Sequence, residues 1–451
     1  MHTFRFVLSR VLCHAIPIAL LGFTVTNIAY GQTTAVVSTI QPVGGVSINT
    51  DGVLSLARTE DLDTLSKLRQ QSLEKIPAEL NPAVEMRKIS LRRLEAVVEE
   101  CAKNKKPVPD AIKYLAGLQH IRYVFVYPEQ KDIVLVGPGE GWKVDAKGNV
   151  IGIATGRPVM LLDDLLIALR TARAAAQGGI TCSIDPTPEG LARVKASPHG
   201  RDPQTVARGL ESALGMQRIS VEGVPATSHF ARVLVAADYR MKRIAMNFDP
   251  SPVRGLPNYL QMVRPGARTM LSPRFWLEPK YEGLLRDADR LAFELRSSGV
   301  KAMTEEDHVA ASGNIEHSGK ASPTAQRWAD LMTAKYAELA VADPIFGQLQ
   351  NCMDLAIVGA LIVKERLAEK AGYSMPTLME SPEVQPVVFN APKQVPSMAS
   401  TLKKGRNWVI SVSGGVAIQS WALADTAKQS DTVGPVRAQA APAETTNWWW
   451  N

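Results

Sequence analysis

Apolar and polar positions recur along this chain with two different periods, and the period changes near residue 120. Leu62, Leu65 and Leu68, then Leu91, Leu94, Val97 and Val98, recur at helical spacing, so residues 60–119 read as helical. Pro77, Pro82, Pro107 and Pro109 punctuate that stretch. Upstream, residues 33–58 read as extended: Ala35 to Ile40 is β-rich, and Gly44 to Asn49 runs into a turn at Thr50-Asp51-Gly52. From 121 to 154 the pattern is that of strands. Tyr123 to Tyr127 and Asp132 to Gly137 form one predicted pair. Trp142 to Val144 and Val150 to Ile153 flank the turn Asp145 to Asn149.

A helix from Leu161 to Ala176 should stop at Gly178-Gly179. A strand follows at Ile180 to Ile184, then a helix start at Thr187-Pro188 and a helix from Pro203 to Leu214. Gln217 to Val221 and Ala231 to Ala236 read as strands, and Asp238 to Met246 as a charged helix. Arg274 to Glu278 and Arg290 to Leu295 read as a strand pair, with Tyr281 to Asp287 as their polar connection. Residues 323–371 are strongly helical, broken at Asp343-Pro344, which predicts an antiparallel helical hairpin. Five prolines between Ser374 and Ser397 predict an extended strap. Trp408 to Ser413 and Val416 to Ile418 around Gly414-Gly415 read as a hairpin that echoes Gly44-Gly45-Val46, which suggests one shared sheet tying the termini together. Residues 426–451 show no periodicity and read as disordered, and Trp448-Trp449-Trp450 has no explanation in the pattern beyond a taste for interfaces. The expected fold is α+β: mixed sheets with flanking helices, a C-terminal antiparallel helical hairpin and a disordered tail. The expected segments are 1–31, 32–120, 121–265, 266–373, 374–425 and 426–451.

The first segment has its own logic. Arg5 and Arg10 precede an apolar run from Val11 to Val25, and Ala29-Tyr30-Gly31 places small residues before Gln32. This is the pattern of a secretory signal peptide, so the chain is expected to be exported, to the periplasm or beyond. No later stretch reads as a membrane span. Net charge is +7, to which the two leader arginines contribute two, and the basic residues are scattered among acids. A nucleic-acid partner is therefore not expected. Arg240, Lys242 and Arg243 are the best local cluster, a weak candidate for anionic envelope polymers. Beyond the leader, Cys101, Cys182 and Cys352 are too few and too far apart for a disulfide framework, and buried thiols are expected.

No metal, phosphate or nucleophile signature is present, and no cofactor is expected. His308 and His317, flanking Ser312 to Asn314, make only a weak metal pair. The most suggestive set is the strand pair. Alternation sends Arg274, Trp276 and Glu278 to one face, with Tyr281, Asp287, Asp289, Arg290, Glu294 and Arg296 nearby. Glu278, Asp287, Asp289 and Glu294 would supply acid and base if they converged in a cleft. A cross-strand salt-bridge ladder uses the same residues. Gln348, Gln350, Asn351 and Asp354 beside Cys352 read as a buried contact within the helical hairpin. Asp249 and Arg254, with Ser251, Asn258 and Tyr259, form a Pro-braced loop. The leading expectation is a non-enzymatic binding or assembly protein of the envelope, with protein or envelope polymer as partner. The alternative is a secreted hydrolase of peptide or glycan bonds.

The wording of several stretches resembles an uncharacterised family of large exported planctomycete proteins that share a domain of unknown function. The stretches are CSIDPTPEGLARV at 182–194, HFARVLVAADYRMKRIAMNFDPSPVRGLPNYL at 229–260, RFWLEPKYEGLLRDADRLAFELR at 274–296 and AQRWADLMTAKYAELAVADPIFGQLQNCMDLAIVGALIVKERL at 325–367, with 123–159 upstream. The resemblance implies export and carries no activity or ligand.

Overall fold

The computed structural model describes residues 41–196, 202–263, 270–271, 273–309, 315–317, 319–404, 406–410, 412–442 and 447–451. The expected signal peptide, the Ala35 to Ile40 strand, His199 and the loop Ser312 to Asn314 lie outside these residues, as do the side chains of His308 and His317.

One mixed sheet of twelve strands organises the described residues. Ten of its strands form a continuous path. In chain order they are β1 (Val84–Ser90), β2 (Tyr123–Tyr127), β3 (Asp132–Gly139), β4 (Ile180–Pro186), β5 (Met216–Glu222), β6 (Pro273–Arg286), β7 (Ala292–Val309), β8 (Gln394–Pro396), β9 (Ser413–Ile418) and β10 (Trp449–Trp450). The spatial order is β8-β5-β4-β9-β6-β7-β2-β3-β1-β10. All neighbours on that path are antiparallel except β9 and β6. Strands from all the expected segments that follow the leader enter this one sheet.

The sheet is apolar on both faces where β2 and β3 lie, and the two-residue period explains how. Val124, Val126, Ile133 and Leu135 face the main core. Tyr123, Phe125, Tyr127, Val134 and Val136 face the other way, into a second cluster that Val433, Ala440 and Trp450 complete. The stretch expected to be disordered is thus what covers this second face. Lys428–Gln429 pairs in parallel with the end of β6, Val433–Gln439 is helical, and β10 adds to β1. The aromatic and branched residues of that face would otherwise meet water, and their burial orders the tail.

The helices that line the main core include α1 (Leu91–Lys103), α2 (Leu162–Thr171), α3 (His229–Ala245), α4 (Pro323–Ala334), α5 (Tyr336–Ala342) and α6 (Pro344–Lys364). The helix α6 is mostly apolar, and it is almost wholly buried at the centre of that core, polar residues included. Contrary to expectation, it is by length and composition also long enough to cross a membrane. Gly359 lets it approach α2 closely, since a Cβ there would lie 2.5 Å from the Ala168 carbonyl oxygen.

Several expectations change. Ala231 to Ala236 is not a strand but the start of α3, which Ser228 caps by accepting from the Ala231 N–H at 3.1 Å. A short continuous apolar run does not distinguish a buried strand from a buried helix, and here both sides are buried. Residues 84–90, expected within a helical region, form β1. Tyr281 to Arg286 is not a connection: β6 runs through it, with register shifts at Tyr281, and the turn comes after Arg286. Gly414-Gly415 does not turn a hairpin. It lies inside β9, where a Cβ at Gly414 would sit 1.5 Å from the Phe275 carbonyl oxygen and one at Gly415 1.8 Å from that of Cys182. The glycines serve close strand packing, while Arg406–Ile410 pairs elsewhere, with Ser400–Lys404 and Met270–Leu271. Val46–Ile48 pairs with Leu54–Leu56 in a sheet of its own, so the two Gly-Gly-Val segments do not share one.

Glu140, after β3, organises the loop that follows Gly152. It accepts from the backbone N–H of Ala154 at 2.9 Å and Thr155 at 3.0 Å, and from the side chains of Gln119 and Thr155. Burial pushes the Glu140 carboxyl up, but these donors outweigh it and hold the group below the usual range. A lowered folded-state value adds stability above the ordinary carboxylate range and loses it as pH falls through the lowered value. Glu140→Gln should therefore cost about 1–3 kcal/mol at neutral pH and much less in acid. Urea unfolding at the two pH values checks this.

Candidate functional site

The edge of the sheet at β1 is where the structure places the three consecutive tryptophans. The β10 residues Trp449 and Trp450 pair antiparallel with Ile89 and Lys88. The strand period then sends the two rings to opposite faces. Trp450 enters the second cluster and is 9% exposed. Trp449 packs against the main core, with the Arg87 guanidinium 5.9 Å from its ring centroid. Trp448, also buried, joins the main core, and its carbonyl accepts from the Ser90 N–H at 2.9 Å. Arg93 donates to the Asn447 carbonyl at 2.9 Å. Asn451 closes the contact, accepting from Arg87 Nε at 3.0 Å and donating to the Glu79 carbonyl at 3.4 Å. Arg87 is fully buried and its other donors reach the Leu80, Ala116 and Pro82 carbonyls. Burial pushes its pKa down to about 10. This is strand addition at a sheet edge, in which backbone pairing holds the segment and alternating pockets choose its side chains.

A second polar constellation lies inside. The Asp354 carboxylate on α6 is fully buried and meets three donors: the Tyr281 hydroxyl of β6, the Ile121 N–H at 3.2 Å and His120 Nδ1. The carboxylate acceptor assigns the proton to Nδ1 of His120. Burial, followed by the Asp354 charge, pushes the Tyr281 phenol well up, so it stays a donor. Asn351 donates to the Pro158 carbonyl at 3.1 Å, and Gln350 accepts from Arg157 at 2.8 Å. The polar set expected to lock a helical hairpin instead ties α6 to the sheet and to the loops before β2 and α2. Asp354→Asn should cost about 1–3 kcal/mol, because an amide offers one acceptor oxygen where three donors converge. A chemical denaturation midpoint shifted by less than the error of the measurement would contradict this. His229 Nδ1 makes a similar contact with Asp164, at 2.9 and 3.0 Å. Cys352, near both carboxylates, is buried, and burial pushes its thiol well up, as it does for Cys182. Cys101, Cys182 and Cys352 are all free.

The candidate carboxylates of the strand pair are not brought together. Glu278 accepts from Trp276 Nε1 at 2.7 Å and pairs with Lys301 at 2.9 Å. Glu294 pairs with Arg122 at 3.8 Å. Glu278 lies opposite Lys301 and Glu294 opposite Leu285, which puts them about 20 Å apart along the hairpin. Asp287 accepts from the Leu291 and Ala292 N–H groups at 2.7 and 3.0 Å and so builds the turn, where Asp289 is exposed. Arg274 pairs with Glu305 at 2.9 Å and lies over Trp276, Arg290 sits in the turn beside Glu365 at 3.3 Å, and Arg296 pairs with Glu282 at 2.7 Å. The arrangement is a ladder of local pairs.

Asp249 joins Arg243 through two bonds, of 2.7 and 2.9 Å, and also meets Arg240, which reaches Asp343 at 2.7 Å. Burial raises the Asp249 carboxyl, but Arg243 and Arg240 outweigh it and hold it below its usual range. Arg254 is exposed, and Asn258 caps the turn Tyr259–Met262. Lys242 is buried in an ion pair with Asp238 at 2.8 Å. Arg240, Lys242 and Arg243 are thus each matched by carboxylates rather than forming a basic face. Among the described residues no three His, Cys, Asp or Glu side chains gather as a metal site would require.

The Asp238–Lys242 pair belongs to a contiguous unit: β4, two helices (Pro188–Ala196 and Pro203–Leu214), β5, α3 and the loop to Tyr259. That unit coincides with a match to a family model. Residues 182–259 match the family described as "Protein of unknown function (DUF1598)". No curated protein and no solved structure matches the chain. The matched stretch also holds Arg232, fully buried, with its terminal nitrogens on the Gln41 and Asn390 carbonyls at 3.3 and 3.2 Å and its guanidinium 5.1 Å from the Phe389 centroid. Burial pushes its pKa down to about 10. The tryptophan edge lies outside the matched stretch in sequence.

Proposed function

We propose that this is an exported binding or assembly protein of the cell envelope or periplasm, working without catalysis through the β1 edge of its sheet. The observation that carries the reading is the addition of the tryptophan strand to that edge, with a ring on each face and the Asn451 amide bridging Arg87 and Glu79. Export is supported by the leader: Arg5 and Arg10, the apolar run and the small residues before Gln32. The partner class is an extended segment bearing aromatic side chains, since main-chain pairing is indifferent to sequence and the two faces favour rings. A hydrolase acting through Glu278, Asp287, Asp289 and Glu294 draws no support from their separate local pairs.

The test uses the full chain with Trp450→Ala, which loosens its own strand, and a fluorescent peptide of residues 447–451. Saturable binding to the variant, at least tenfold tighter than to the unmodified chain, is expected. Equal, non-saturable signal with both would remove the edge as a binding site.

A further inference from the structure

Resting on the reading of the β1 edge as a strand-binding site, we infer that its partner is the same strand of a second copy, so that copies exchange β10 and assemble. The argument starts from complementarity. The edge already fits this strand: Trp450 joins the buried apolar cluster on the second face of the sheet, and Asn451 spans Arg87 and Glu79. A second copy brings the same residues in the same order, so every contact made within one chain can be made between two. Exchange of an identical element is for that reason a low-cost route to a dimer.

The attachment of the strand favours exchange. Its backbone hold is short: two ladder pairs with β1, the Ser90 bond to Trp448 and the Arg93 bond to Asn447. The element before it is anchored independently, because the helix Val433–Gln439 is fixed to β2 by Tyr127 donating to the Arg437 carbonyl at 2.7 Å and Arg437 donating to the Val126 carbonyl at 3.1 Å. Residues 441–446 join the two, and the sequence there includes Pro442. Six residues reach at most about 20 Å when extended, so a strand can pass to a neighbour only if the two copies lie edge to edge. That geometry predicts a closed, reciprocal pair rather than an open chain of copies.

The experiment uses the full chain. Light scattering across a dilution series should show a dimer that dissociates on dilution and on addition of the free peptide Asn-Trp-Trp-Trp-Asn. In a second arm, one copy carries Ile89→Cys and another Trp449→Cys, residues that face each other across the ladder. Mild oxidation of the mixture should give a disulfide between copies. A chain that is monomeric at every concentration and forms no such disulfide overturns exchange. The peptide-binding measurement on Trp450→Ala separates the two claims. Binding there without dimers leaves the edge as a site for a foreign strand, whereas loss of both removes the edge reading as well.

Discussion

Lys242→Met is expected to lower the unfolding free energy by about 3–5 kcal/mol, the effect of stranding one partner of a buried pair. Asp238 is fully buried, one of its oxygens has no hydrogen-bond partner, and the other depends on Lys242 at 2.8 Å. Without the ammonium, a carboxylate remains in the interior between β4, β9 and α3. Burial, only partly offset by Lys242, already pushes the Asp238 carboxyl above its ordinary value. A raised folded-state value favours the native chain in acid and loses that advantage as pH rises through it. The deficit of the variant should therefore shrink as pH is lowered toward the carboxylate range, where Asp238 takes up a proton. Replacing both residues, Asp238→Leu with Lys242→Met, should recover most of the loss, because no charge is left behind. Urea unfolding of the two variants at neutral and acidic pH measures all three quantities. A single variant within about 1 kcal/mol of the parent, well below the range for a broken buried pair, would mean that water reaches the site.

Trp450→Ala should cost about 3–5 kcal/mol, the range for truncating a large buried aromatic. The ring is buried as part of the second cluster, at the β1 edge of that face. Its Nε1 has no hydrogen-bond partner, which offsets part of the burial gain and makes the lower half of the range the better expectation. Trp449→Ala should cost less, because its ring is only half-buried. The order of the two, read from thermal unfolding, is the informative result. If Trp449 mattered more, the aromatic face around Tyr123 would not be what holds the strand.

The two effects bracket what is legible in the chain's own pattern. Alternation places β2, β3, β4 and β5 and the hairpin of β6 with β7, because each is a run of branched or aromatic residues between turn signals. The helix Pro203–Leu214 and the helix start after Thr187 are legible from their caps. Three features are hidden for one physical reason, that the deciding partner is remote in sequence. β1 is a strand because β3 pairs with it. Gly414 and Gly415 are glycines because Phe275 and Cys182 pass close by. The tail is ordered because the second face of β2 and β3 needs covering. The same holds for the sites. Asp354 is visible as a polar position on a helix, but His120 and Tyr281 stand 234 and 73 residues away and no local signal joins them. The acidic and basic residues of 274–296 are equally visible. Which of them lie opposite one another is set by the register, and no local signal gives it.

The place of β9 has a consequence for how the chain reaches its native state. This strand, late in the sequence, is the sole link on the sheet path between β8-β5-β4 on one side and β6-β7-β2-β3-β1 on the other. Until residues 413–418 are available, β4 and the longest hairpin each present an open edge with nothing between them. Closure must bring together segments more than a hundred residues apart on both sides of β9, so its loop-closure entropy is large and the final step should be slow. A chain that completes its sheet only when residues 413–418 arrive stays loosely assembled while everything before them is made. That is the condition a polypeptide needs if it is to be threaded across a membrane before it folds.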